Sequence, residues 1–241
     1  STSRIMGGII TTSGTNTITG NTVRDMTTPA NATGTTSAAS VIGISNTSVS
    51  APLTISTNTI RSLSNTHATA AAIVTGIFNS GTSGTNVIAK NLIHTLTTPS
   101  AVGVINGINT NLGTTTYQNN MIDLGNGLTT SAQINGVNET GGTNNFYHNS
   151  IYVGGTGVVS GAVNTFAFNS TVTTNTRNYR DNIFFNARSN ASGTGVHYAI
   201  QAGGTAPNPT GLTSNNNLLF ANGIGGATGR FNALTQLTLA N

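Results

Sequence analysis

The sequence predicts an all-β fold, a parallel β-solenoid of about seven coils, on two recurring columns of residues and one compositional bias. The first column is the frame apolar-x-x-Asn-x-apolar around Asn21, Asn58, Asn91, Asn120, Asn149, Asn182 and Asn217, which returns every 29 to 37 residues. Three positions before these asparagines stand Ile18, Ile55, Ile88, Tyr117, Phe146, Tyr179 and, out of pattern, Ser214. Two positions after them stand Val23, Ile60, Ile93, Ile122, Ile151, Phe184 and Leu219. The second column is Gly8-Ile9, Gly43-Ile44, Gly76-Ile77, Gly107-Ile108 and Gly136-Val137, continued with alanine by Ala167-Phe168 and Ala199-Ile200. It precedes each asparagine by 13 to 18 residues, always in the same order. The bias is toward 45 threonines, 34 asparagines and 30 glycines, a mixture of β-branched and turn-forming residues that favours short strands and tight turns.

Each unit reads as two or three short β segments in a fixed order, and the third unit shows it. Ala72-Ile73-Val74 leads into Gly76-Ile77-Phe78, and the polar run from Asn79 to Gly84 is a turn. Val87-Ile88 follows, then Asn91, then Leu92-Ile93. Segments this short do not build a free-standing sandwich. They suit coils stacked about 4.8 Å apart, in which every strand pairs with its copies above and below. A seven-bladed propeller would share the count, but a four-stranded blade typically takes about 40–50 residues, and these units are shorter.

Geometry then assigns a role to the asparagine. The chain must turn sharply there while both flanking apolar side chains stay inward, so the expectation places Asn itself in the left-handed backbone region. Stacked coil on coil, its amide can donate to the carboxamide oxygen of the next, forming a ladder along the axis. The flanking Ile, Val, Leu and Phe stack into a narrow apolar core.

Charge excludes several function classes. Eight Lys/Arg and four Asp/Glu give a net charge of +4. Arg177, Arg180 and Arg188, with Asp181 among them, are the single basic cluster, expected as a solvated, partly self-paired patch. Nucleic acid is not an expected partner, because that requires clustered cations and stacking platforms. The chain has no cysteine, hence no disulfide. No apolar run approaches the roughly 18 residues of a membrane span, and Ser1-Thr2-Ser3-Arg4 does not begin a signal peptide. Residues 1–241 are read as a single β-solenoid domain, a segment of a longer protein or a repeating subunit.

The four acids, Asp25, Asp123, Glu139 and Asp181, form no pair suited to acid/base work or calcium binding and are expected as surface charges. The chain is therefore read as a non-enzyme without cofactor. His94 and Asp123 share one column in adjacent units, where a hydrogen bond between them is expected, but no nucleophile joins them. His67, His148 and His197 fall in different columns, so no metal site is indicated. The column holding His94 reads Arg24, Arg61, His94, Asp123, Tyr152, Phe185 and then Phe220. Strand alternation turns it outward, giving a stripe that is cationic at one end and aromatic at the other, a candidate surface for glycans. A Thr-x-Thr array of the ice-binding kind is not sustained. Thr17-Ile18-Thr19 gives way to Thr54-Ile55-Ser56, Val87-Ile88-Ala89 and Thr116-Tyr117-Gln118.

The Gly-Ile pairs followed by Asn16-Thr17-Ile18-Thr19-Gly20-Asn21-Thr22-Val23 resemble the repeats of pectate-lyase-like parallel β-helices. Segments 142–156, 168–177 and 187–194 are similar to the β-strand repeat regions of large secreted Bacteroidetes surface proteins. The resemblance spans nearly the whole chain and implies a right-handed helix, in line with the preference of parallel crossovers. It also implies secretion and a cell-surface setting, and it brings no catalytic motif. The expected function is a non-catalytic extracellular structural or adhesive rod or filament. The alternative is a carbohydrate-binding or polysaccharide-lyase-like β-helix. Because Ser1 leads almost directly into a repeat and Ala233–Leu239 reads as an apolar strand, the chain is expected to continue beyond both ends or to stack on copies of itself. Its expected partners are itself or cell-surface glycans.

Overall fold

The computed structural model describes residues 6–205, 208–231 and 233–237. Seven coils of three strands each follow one another. They are β1 (Met6–Thr11), β2 (Asn16–Thr19) and β3 (Thr22–Thr28); β4 (Val41–Asn46), β5 (Leu53–Ser56) and β6 (Thr59–Asn65); β7 (Ile73–Asn79), β8 (Thr85–Ala89) and β9 (Leu92–Thr97). Then come β10 (Val104–Thr110), β11 (Thr114–Gln118) and β12 (Met121–Leu124); β13 (Gln133–Glu139), β14 (Thr143–Tyr147) and β15 (Ser150–Val153). The last coils are β16 (Thr165–Ser170), β17 (Arg177–Arg180) and β18 (Ile183–Asn186), then β19 (His197–Ala202), β20 (Leu212–Asn215) and β21 (Leu218–Ala221). An eighth pass begins with β22 (Gly226–Phe231) and turns back as β23 (Leu234–Gln236). Strands from successive coils stack into sheet A (β1 to β22 in steps of three, then β23), sheet B (β2 to β20) and sheet C (β3 to β21). The β22–β23 pair is antiparallel, and the other strand pairings described are parallel.

Register follows the sequence columns. Ile9, Ile44, Ile77, Ile108, Val137, Phe168 and Ile200 stand opposite one another along sheet A. With the two asparagine-flanking columns they form one continuous buried core. Its first three coils are aliphatic. From coil four onward rings take over, with Tyr117 stacked on Phe146 at 4.4 Å and Phe168 on Phe184 at 4.8 Å between ring centres.

The glycines of the Gly-Ile pairs stand opposite one another in successive coils, and the residues on either side of them pair without a shift in register. Their φ is not positive, and close approach is what requires them. A Cβ on Gly76 would lie 2.6 Å from the Gly107 carbonyl oxygen and 2.7 Å from Ile93 Cγ2. The same pairing of glycine with a β-branched residue of sheet C holds for Gly8 with Val23, Gly43 with Ile60, Gly107 with Ile122 and Gly136 with Ile151. Alanine enters the column at Ala167 and Ala199, where the facing residues are Phe184 and Leu219, neither branched at Cβ.

The asparagine ladder is continuous. Each Nδ2 donates to the Oδ1 of the next coil, from Asn21 to Asn58 at 3.0 Å through to Asn182 to Asn217 at 2.8 Å. From Asn58 onward Nδ2 also donates to the carbonyl of the apolar residue one coil back, as Asn120 does to Ile88 at 2.9 Å. From Asn58 to Asn217, Oδ1 accepts a second bond, from the backbone N–H of the preceding coil's asparagine.

The backbone conformation at this turn corrects the expectation. The left-handed residue is the one before the ladder asparagine: Gly20, Thr57, Lys90, Asn119, His148, Asp181 and Asn216, with φ between 52° and 67°. With its neighbour making the turn, the asparagine spends its side chain on hydrogen bonds between coils. A second left-handed column, at Asp25, Ser62 and Thr95, widens sheet C in the first three coils and brings Leu63 and Leu96 into the core.

The last segment forms a strand, as read from the sequence: β23 turns back and pairs antiparallel along the far edge of sheet A through Gly229↔Gln236 and Phe231↔Leu234. Thr238 and Leu239, read as part of that strand, fall outside the described residues.

Candidate functional site

Sheet C carries the candidate surface. Arg24, Arg61, His94, Asp123, Tyr152, Phe185 and Phe220 lie opposite one another in consecutive strands, forming one outward row. The aromatic end is ordered ring on ring: Tyr152 meets Phe185 edge-on at 5.2 Å, and Phe185 lies 5.1 Å from Phe220 at a tilt. A second outward row, which the repeat columns do not single out, lies two residues earlier, directly after the asparagines: Leu92, Met121, Ser150, Ile183 and Leu218. Met121 is 60% exposed and Leu218 57%. Between the rows runs an apolar groove of about 440 Å³, lined by Leu92, His94, Met121, Tyr152, Ile183 and Phe185. Alternation alone could have identified that second row.

The expected His94–Asp123 hydrogen bond is not made. His94 Nδ1 pairs with Thr95 Oγ1 at 2.8 Å, and Asp123 Oδ1 accepts from Asn126 Nδ2 at 2.7 Å. Among the described residues one ion pair lies within 4.0 Å, between exposed Arg24 and Asp25 at 2.8 Å.

Glu139, Arg177 and Arg188, expected at the surface, are buried. The reason is strand alternation two residues beyond the Gly-Ile pair, which faces Asn46, Asn79, Thr110, Glu139 and Ser170 into the corner between sheets A and B. Sheet B answers with Asn86, Thr115, Asn144 and Arg177. In this polar corner Asn46 Nδ2 donates to Asn79 Oδ1 at 2.8 Å, and Asn79 Nδ2 donates to Tyr117 Oη at 3.1 Å. Asn144 Nδ2 donates to Glu139 Oε1 at 2.8 Å, and the Tyr179 hydroxyl donates to Glu139 Oε2. Arg177 donates to the carbonyls of Val172 and Thr210. Burial raises the Glu139 carboxyl above its ordinary range, against the lowering effect of its hydrogen bonds, and pushes Tyr117 up to about 12. Tyr179 is raised by burial and then by the Glu139 charge.

Arg188 ties three loops together. It donates to the carbonyls of Leu128 at 3.1 Å, Gly154 at 3.3 Å and Thr130, spanning the C-to-A connections of coils four, five and six. Burial lowers it to about 10. His197 bonds Thr165 Oγ1 at 2.9 Å and Asn190 Oδ1 at 3.0 Å. Burial, and after it the Arg188 charge, lowers His197 to about 4. These groups hold the interior together and do not converge on open space. Arg180 and Asp181 of the same sequence cluster remain exposed.

A shallower polar groove of about 270 Å³ lies on the outer face of sheet A, lined by Gln133, Asn164, Phe166, Asn169, Gln201 and Arg230. Its floor includes Phe166 stacked on Tyr198 at 5.3 Å. Among the described residues no three His, Cys, Asp or Glu side chains are grouped to hold a metal, and no helix is long and apolar enough to cross a membrane. Comparison of the chain with protein-family models, curated proteins and solved structures finds no match.

Proposed function

We propose that the chain is a non-catalytic structural or adhesive β-solenoid, a stiff rod that works outside the cell and meets its partner through sheet C. The observation that carries this reading is the unbroken asparagine ladder, with its amide hydrogens and carboxamide oxygen bonded at every interior coil. A rod of stacked parallel coils tied by continuous backbone ladders and an asparagine ladder resists bending and proteolysis. The likeness to secreted Bacteroidetes repeat regions supports the extracellular setting. Exposed apolar residues in two adjacent rows support sheet C as the contact face, since contiguous patches of this kind mark interaction surfaces. The test is prolonged thermolysin digestion of the folded chain, with an assay for polysaccharide turnover beside it. Cuts confined to the loops between sheets C and A, and no product from polysaccharide, are expected. Rapid cleavage within the coils or measurable turnover contradicts the proposal.

The amide-lined groove on sheet A favours a second reading, a carbohydrate-binding β-helix, because planar amides, an arginine and rings are the groups that hold sugars. Oligosaccharide titration that shows binding, and its loss in Arg230→Ala, would favour it over the rod.

A further inference from the structure

From the order of side chains along sheet C, we infer that this face binds a second copy of the chain, side by side and antiparallel. The inference rests on sheet C being the contact face and adds the identity of the partner. The long row runs Arg24, Arg61, His94, Asp123, Tyr152, Phe185, Phe220, one residue per coil from coil one to coil seven. A two-fold axis lying along β12 turns the row end for end against itself. Arg24 then faces Phe220, Arg61 faces Phe185, and His94 faces Tyr152. The row is cationic or imidazole in the half that meets rings, so an isologous contact repeats each pair twice, and Arg over an aromatic face is an attractive pairing. The parallel alternative, coil one on coil one, sets Arg24 on Arg24, Arg61 on Arg61 and Asp123 on Asp123. The antiparallel arrangement leaves a single like pair, Asp123 with its own copy at the axis, where each carboxylate already accepts from Asn126. Beside that row, Met121 meets Met121 at the axis, and both grooves are covered.

The rings argue for a protein partner over a sugar. Tyr152 and Phe185 meet at 81°, and Phe185 and Phe220 at 53°, so they do not form the flat platform on which a pyranose stacks. The face is small. Seven coils at about 4.8 Å give a face roughly 34 Å long, and a width of roughly 15 Å puts on the order of 1,000 Å² in a two-copy interface. That lies near the lower end of specific contacts, so the dimer is expected to form reversibly at micromolar concentrations.

Sedimentation velocity of the 241-residue chain over a concentration series tests this, with circular dichroism confirming that each variant is folded. The wild type is expected to shift from monomer to dimer, and Phe185→Arg to remain monomeric because it faces Arg61 with a second cation. The double variant Arg61→Phe/Phe185→Arg is expected to regain the dimer, since the swap restores both pairs. Orientation is read from single cysteines in this cysteine-free chain. With a bismaleimide reagent that spans roughly 8 Å between thiols, Asp123→Cys is expected to give a cross-linked dimer and Arg61→Cys, whose two copies lie four coils or about 19 Å apart along the rod, is not. A wild type that stays monomeric at every concentration overturns the inference, as does a dimer indifferent to Phe185→Arg or Arg61→Cys linking as readily as Asp123→Cys. Folding and protease resistance unchanged alongside such a result would leave the rod reading standing and remove this partner alone.

Discussion

At the turn between sheets B and C, two adjacent residues divide the work. The asparagine bonds the coils, and its predecessor carries the left-handed backbone. That predecessor is Gly20 in coil one but Thr57 in coil two, at φ 54°. A β-branched residue in this region is strained by its own Cβ substituents. Replacing Thr57 with Gly is expected to raise stability in chemical unfolding, by at most about 1 kcal/mol, because the relief of backbone strain is offset in part by loss of the Oγ1 bonds to the Ser56 carbonyl and to Thr19 Oγ1. A neutral or destabilising result would show that the turn is not strained there. The asparagine column was legible because one residue type recurs. The left-handed column was not, because Gly, Thr, Lys, Asn, His, Asp and Asn share no chemistry, only a position. The buried charges escaped for a different reason. Composition suggests that a rare Glu or Arg seeks water, yet alternation from the Gly-Ile pair points Glu139 inward, and that rule was readable.

At the scale of the strand, the glycine column shows how one sheet constrains its neighbour. Gly76→Ala drives a methyl against Ile93 Cγ2 and the Gly107 carbonyl, and is expected to cost about 1–3 kcal/mol, as overpacking does. Combining it with Ile93→Leu removes the branch at Cβ and is expected to recover part of that loss, reproducing the alanine-with-unbranched pairing of coils six and seven. If the double variant is no better than the sum of the two single changes, the carbonyl contact alone sets the requirement. The strand-level reading of the sequence placed the core columns and the outward stripe in their observed register. It did not place the Leu92–Leu218 row or the turned-back β23, because neither changes the repeat that reveals the coils.

Across the whole molecule, two buried groups give stability opposite slopes with pH. His197 titrates near 4 in the folded chain, below its ordinary value of about 6.5. The unfolded chain therefore takes up a proton first as the solution is acidified. Stability that is complete above about pH 6.5 is lost progressively as pH falls toward 4. Glu139 is raised by burial, so its contribution has the reverse sign. It is complete below the ordinary carboxylate value and lost as pH rises through the raised one. In thermal unfolding at a series of pH values, Glu139→Gln is expected to flatten the upper limb of the profile and leave the acid loss in place. An unchanged upper limb would mean that Glu139 is solvated when the chain is folded.

A continuous ladder of asparagines binds the parallel coils into one rod. Residue-resolved native-state hydrogen exchange tests it most directly, because the backbone N–H groups of Asn91, Asn120 and Asn149 each donate to the carboxamide of the next coil. These three are expected to exchange far more slowly than loop amides such as Gly127, and more slowly than Asn21 at the end of the ladder. Exchange at Asn91, Asn120 and Asn149 as fast as in the loops would contradict it.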